Sequence, residues 1–140
     1  MRTVLVTIRD SASIIDAAKK MKERGVGSLL VLDSKEKTYG IITESDIVRK
    51  ALASGKVDSG LKEFVSSPLV TISAGSDIYE AAKTMGAKNV KRLVIIADGK
   101  ITGIISAKDI VRISPSLCDL IAETEHAKAE AVPLSVRSQD

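Results

Sequence analysis

Tryptophan is absent from the 140 residues, and the aromatics amount to two tyrosines and one phenylalanine. A base-stacking platform for nucleic acid, which relies on aromatic faces, is therefore not expected. Cysteine occurs once, at Cys118, and histidine once, at His126. A lone cysteine makes no internal disulfide, and no apolar stretch near the start is long enough for a signal-peptide core. Together these point to the cytoplasm. Neither Cys118 nor His126 has the companions that nucleophilic catalysis or a metal site requires, so no metal is expected. They read as a small apolar contact and a surface residue. The longest apolar runs, such as Leu29–Leu32 and Leu93–Ala97, fall far short of the ~20 residues of a membrane helix. Charge of one sign is also scarce. A net +3 and a pI near 9.0 either attract a polyanion or simply keep the protein soluble.

What is present is ordinary for a globular protein: 44% apolar and 28% charged residues. A chain of this length buries roughly two-thirds of its unfolded surface without a staple. It also repeats itself. Val6–Leu32 aligns without a gap on Val70–Ile96, matching Val6 with Val70, Thr7 with Thr71, Ile14 with Ile78 and Met21 with Met85. After one deleted residue, Gly40–Arg49 (GIITESDIVR) aligns on Gly103–Arg112 (GIISAKDIVR). The chain is a tandem pair of units of about 45 residues.

Each unit reads as strand, helix, strand, strand, helix, which predicts an α/β (α+β) fold. Val4, Val6 and Ile8 alternate as a half-buried strand. Ile14, Ala17, Ala18 and Met21, echoed by Ile78, Ala81, Ala82 and Met85, form the apolar stripe of a helix. Ser13 three before Asp16, and Asp77 three before Glu80, are capping pairs. Gly25 and Asn89 suit the left-handed C-cap. Ser28–Leu32 with Gly40–Ile42, and Leu93–Ile96 with Gly103–Ile105, read as hairpins, and Glu44–Ala53 and Ala107–Ile113 as closing helices. The expected boundaries are unit 1 over 1–54, a linker with a short helix over 55–67, unit 2 over 68–114 and a tail over 115–140. The glycine- and serine-bearing Ser54–Gly60 is the linker, Leu61–Val65 the short amphipathic piece. The tail continues as a helix through Leu120 and Ile121, and Val132–Asp140 is expected to fray. So small a unit is expected to pack its sheet on that of its pseudo-symmetric copy.

Polar residues at the strand ends carry the chemistry. Thr43-x-x-Asp46 and Ser106-x-x-Asp109 each follow a Gly-Ile-Ile strand. A hydroxyl three residues before an acid is a capping box. The same geometry suits a phosphate at the helix N-terminus, with the carboxylate placed for a ribose diol. Lys91-Arg92 opens the second strand of unit 2, where unit 1 has Gly27-Ser28. The pair is either a solvated strand end or a phosphate clamp, Arg92 being able to bind bidentately. Gly25-Val26-Gly27 lacks the third glycine of a dinucleotide fingerprint and follows a helix rather than a strand. No P-loop or zinc spacing appears, and no enzyme active site is expected.

A doubled unit with Val-Thr-Ile, an Ala-Ala-x-x-Met helix and Gly-Ile-Ile-[Thr/Ser]-x-x-Asp-Ile-Val-Arg resembles the cystathionine-β-synthase (CBS) domain. The pair resembles the stand-alone tandem arrangement called a Bateman module. The resemblance covers about Val4 to Ile113. It implies a non-catalytic regulatory module, sensing energy or metabolite state, that binds AMP, ADP, ATP or S-adenosylmethionine in the cleft between its units. By that resemblance Asp46 and Asp109 hold ribose hydroxyls, and Thr43, Ser106, Lys91 and Arg92 approach phosphate. Thr7, Ile8, Val26, Thr71, Ile72 and Val90 cradle adenine. Unit 1 departs from the basic pattern at Gly27-Ser28. A homodimer through helical faces is implied as well, with an unidentified regulated protein as partner. The other readings are a ligand-independent, dimerising interaction module and, less favoured by the composition, nucleic-acid binding.

Overall fold

The computed structural model describes residues 5–122. The chain divides after Leu69 into two compact units. Each holds one three-stranded sheet, so the mixed α/β architecture expected from the repeat is present twice.

In the first unit, β1 (Thr7–Arg9), β2 (Ser28–Leu32) and β3 (Thr38–Thr43) lie in the order β1-β2-β3. β1 runs parallel to β2, with Thr7 opposite Leu30, and β3 returns antiparallel. A parallel pair needs a crossover, supplied by α1 (Ile14–Arg24), whose Ile14, Ala17 and Met21 are buried. Ser13 and Asp16 close a full capping box, and Gly25 ends the helix at φ 64°. After β3 comes α2 (Glu44–Asp46), and then a wide π-helical stretch, Ile47–Leu52. The continuous α-helix expected over Glu44–Ala53 is therefore replaced after its first turn. Ala51 of the wide stretch is fully buried in the core cluster, while Val48 and Leu52 stay exposed.

The segment expected to be a linker is partly built into this unit. Ile14 N–H donates to the Ser59 carbonyl at 2.9 Å, and Leu61 N–H to the Ala12 carbonyl at 3.0 Å. A 3-10 turn, Leu61–Phe64, buries both its end residues in the core. Ser66 then exchanges two backbone hydrogen bonds with Ile41 on β3, at 2.9 and 3.0 Å. We call residues 59–66 the strap. Gly40 faces it: a Cβ there would overlap Val65 Cγ1 and stand 2.8 Å from the Ser66 carbonyl oxygen.

In the second unit, β4 (Thr71–Ser73), β5 (Arg92–Ala97) and β6 (Lys100–Ser106) repeat the order and directions, with α3 (Ile78–Lys88) as the crossover. Asp98 at φ 51° and Gly99 at φ 75° form the two-residue turn between β5 and β6, whose positive angles match strand twist. Asp77 accepts from Glu80 N–H at 2.8 Å, the forward half of a capping box, and Asn89 ends α3 at φ 54°. After α4 (Ala107–Ile113) the chain makes a short 3-10 turn, Pro115–Leu117, and a helix α5 (Cys118–Ile121). Ile121 joins the core cluster containing Ala82, Met85 and Ile110. Cys118, expected as an apolar contact, is exposed. Val4, His126 and Val132–Asp140 lie outside the described residues.

Candidate functional site

Parallel pairing of the first two strands, with an antiparallel third, brings three chain ends together in each unit. The starts of β1 and β2 and the end of β3 meet at one edge of the sheet. Ser28 pairs with Thr43 there, and Thr7, opposite Leu30, lies across β2 from them. The Glu44 N–H donates to the Gly27 carbonyl at 3.0 Å, fixing the Thr43–Asp46 turn against the start of β2. In unit 2, Arg92 pairs with Ser106, and Ala107 N–H donates to the Lys91 carbonyl at 2.8 Å. The cation pair is thus held beside the hydroxyl–aspartate turn by strand register, a proximity invisible at a sequence separation of about 15 residues.

Both turns form complete capping boxes. Thr43 Oγ1 accepts from Asp46 N–H at 3.1 Å, and Asp46 Oδ2 accepts from Thr43 N–H at 3.0 Å. Asp46 is buried, at 8% exposure, and its second oxygen lies 3.1 Å from Lys50 Nζ. Lys50 was not singled out in the sequence, although its i,i+4 spacing from Asp46 is a recognisable signal. In unit 2, Asp109 Oδ2 accepts from both the N–H and the hydroxyl of Ser106, each at 2.9 Å. Burial by itself pushes the Asp109 carboxyl up; hydrogen bonds, those from Ser106 among them, outweigh it and hold the group below the usual carboxylate range. Thr43 keeps its hydroxyl hydrogen for an acceptor, whereas Ser106 gives its hydrogen to Asp109.

The expected adenine-cradling residues divide by burial. Ile8 and Val26 belong to the buried cluster of unit 1, and Val26 also lines a groove beside α1. Val26 N–H is committed to the Met21 carbonyl at 3.0 Å, and the Thr7 carbonyl accepts from Lys20 Nζ at 2.5 Å. In unit 2, Ile72 and Val90 are partly buried and Thr71 is exposed. Among the described residues no cluster of three metal-ligating side chains occurs, and no helix is long and apolar enough to cross a membrane.

Two sheet-and-helix units in tandem, each closing on a hydroxyl–aspartate turn, define a class, and comparison gives it a name. Residues 1–53 and 61–116 each match the CBS domain model. The chain belongs to the CBS-domain family. It is 34% identical over 125 residues to an uncharacterized protein of Methanopyrus kandleri, covering 87% of this chain and 64% of that one. The chain thus spans less than two-thirds of that relative. Among solved structures, the CBS domain pair of protein MJ0100, in complex with 5'-methylthioadenosine and S-adenosylmethionine, superposes with a TM-score of 0.70 at 26% identity, covering 81% of this chain and 90% of that one. A CBS domain protein of Pyrobaculum aerophilum, complexed with AMP, shares the fold with a TM-score of 0.71 at 21% identity, over 86% and 98% of the two chains.

Proposed function

We propose that this protein is a non-catalytic regulatory module that binds an adenosine-containing ligand: AMP, ADP, ATP or S-adenosylmethionine. Asp46 and Asp109 take the ribose hydroxyls, and Lys91, Arg92 and the motif hydroxyls Thr43 and Ser106 take phosphate. Backbone and side chains at Thr7, Ile8, Val26, Thr71, Ile72 and Val90 cradle adenine. The protein works in the cytoplasm as a homodimer paired through helical faces, and passes the ligand's state to a regulated protein. One observation carries the reading: the β5–β6 register sets Arg92 beside Ser106, on the turn that ends in Asp109. The MJ0100 complex, a relative with two adenosyl ligands, supports the ligand class.

The test is a panel of dissociation constants for adenosine, AMP, ATP and S-adenosylmethionine, with a thermal shift for each. Asn at this position keeps a side-chain oxygen that can accept from the Ser106 N–H, so Asp109→Asn keeps the fold and lowers affinity for every adenosyl ligand about tenfold, the loss of a charge-assisted bond. Arg92→Ala weakens AMP and ATP at least about tenfold, with little change for adenosine. Equal loss for all three removes Arg92 from the phosphate role.

A second reading has its own support. Both capping boxes are complete without a ligand, and Asp46 already pairs with Lys50. On that reading the chain is a ligand-independent interaction module, and no adenosyl compound shifts its melting temperature.

A further inference from the structure

Unit 1 has a groove of about 460 Å³ with Ala18 and Met21 of α1 in one wall and Ile47 and Val48 in the other. Val48 is 56% exposed, and Leu52, one turn further on, 54%. The same face of unit 2 is covered. By the internal alignment Ala18, Met21, Ile47 and Val48 correspond to Ala82, Met85, Ile110 and Val111. Those four form one apolar cluster with Leu117, Leu120 and Ile121, which lie in α5 and just before it. At the same offset (Arg49 on Arg112) these last three residues fall on Ser54, Val57 and Asp58. Unit 1 therefore has no apolar triplet to lay on the groove, and its chain turns off to the strap, where the Ser59 carbonyl accepts from Ile14 N–H. The groove also carries both signs of charge, Lys22 on α1 and Glu44 at the start of α2. Both are exposed, and neither forms an ion pair with another described residue.

We propose that a second copy of this chain covers the groove, unit 1 against unit 1 about a twofold axis, and that the counterpart face of unit 2 takes no part. The inference rests on the homodimer proposed above and names its interface. Charge selects the occupant. A twofold axis through the groove sets the Lys22 wall of each copy against the Glu44 wall of the other, so one surface is complementary to itself, as an isologous contact requires. Val48 and Leu52 of each copy then bury against the apolar wall of the other. Exposed apolar side chains that continue a groove and carry a charged rim mark such an interface. The α5 cluster shows what this face accepts, aliphatic side chains one helical turn apart, and Val48 and Leu52 supply them. Val26 is the one residue that the groove shares with the proposed adenine cradle, and at 7% exposure it offers little surface for pairing.

Sedimentation of the full chain at about 50 µM is expected to show a dimer. Val48→Asp alters an exposed residue. It weakens pairing at least about tenfold with an unchanged circular-dichroism spectrum. Lys22→Glu and Glu44→Lys each weaken it at least about fivefold, since like charges then meet across the axis. An equal mixture of those two single variants pairs again, because both ion pairs are restored between unlike chains. Asp119→Lys, on the exposed side of α5, leaves the dimer unchanged. A monomeric native chain overturns this inference and the homodimer reading together. A dimer that persists in Val48→Asp, or a mixture that does not recover pairing, overturns the inference alone, the copies then meeting elsewhere. Loss of the dimer in Asp119→Lys also overturns it, because unit 2 is then part of the interface. Dissociation by saturating AMP does so too, the groove then being the adenosyl seat.

Discussion

The two units share a frame and differ in what is laid upon it. Unit 1 carries the strap across the N-terminal end of α1 and the edge of β3. It leaves open a groove of about 460 Å³ between α1 and the residues after β3, lined by Ala18, Met21, Val26, Ile47 and Val48. Unit 2 does the reverse. There α5 joins the cluster formed by α3 and α4, with Ala82, the counterpart of exposed Ala18, fully buried, and among the described residues none corresponds to the strap. The polar turns diverge in the same way: Asp46 is paired with Lys50, whose counterpart is Ile113, whereas unit 2 sets Lys91 and Arg92 beside Ser106. A repeat thus copies the sheet and the caps, and the segment that follows each closing helix decides which face is covered.

The comparison breaks most visibly at the strap. Leu61 is fully buried, so Leu61→Ala is expected to destabilise unit 1 by about 3 kcal/mol, as large-to-small core changes do. Urea unfolding followed by resonances of each unit will show unit 1 melting first. Gly40→Ala comes next. Its Cβ meets Val65 and the Ser66 carbonyl, an overpacking that costs about 2 kcal/mol, and protease cleavage near Ser66 should rise. The smallest effect is acid dependence at Asp109. Its carboxyl is held below the usual value when folded, so the stability it adds is present above about pH 4 and lost as pH falls through the folded value. The difference in unfolding free energy between the native chain and Asp109→Asn should therefore shrink between pH 5 and about 2; a difference that is constant over that range would contradict the shift.

The repeat made most of the frame legible. Ile14, Ala17 and Met21 are buried on α1 as their spacing predicts, and the Ser13–Asp16, Thr43–Asp46 and Ser106–Asp109 caps all close. The pairing of β2 with β3 and of β5 with β6 as hairpins was equally plain. The strap was not, because two apolar anchors in a segment with glycine and serine around them give no period to read. The wide turn at Ile47–Leu52 was hidden as well, since its residues suit an ordinary helix. Of the candidate site, the hydroxyl–aspartate turns were local and readable. The placement of Arg92 beside Ser106 depends on β5–β6 register, which strand composition alone leaves open.

The strap also orders events in time. Unit 1 is assembled from residues up to Ser66, well past the end of its own closing helix. A nascent chain emerging from the ribosome reaches Leu52 with Ile14 and Ala17 still unshielded, and only a further stretch of synthesis brings Leu61 and Phe64 to cover them. Truncation just after the first repeat therefore yields an exposed apolar surface rather than half a working protein, a fragment for chaperones and proteases to clear.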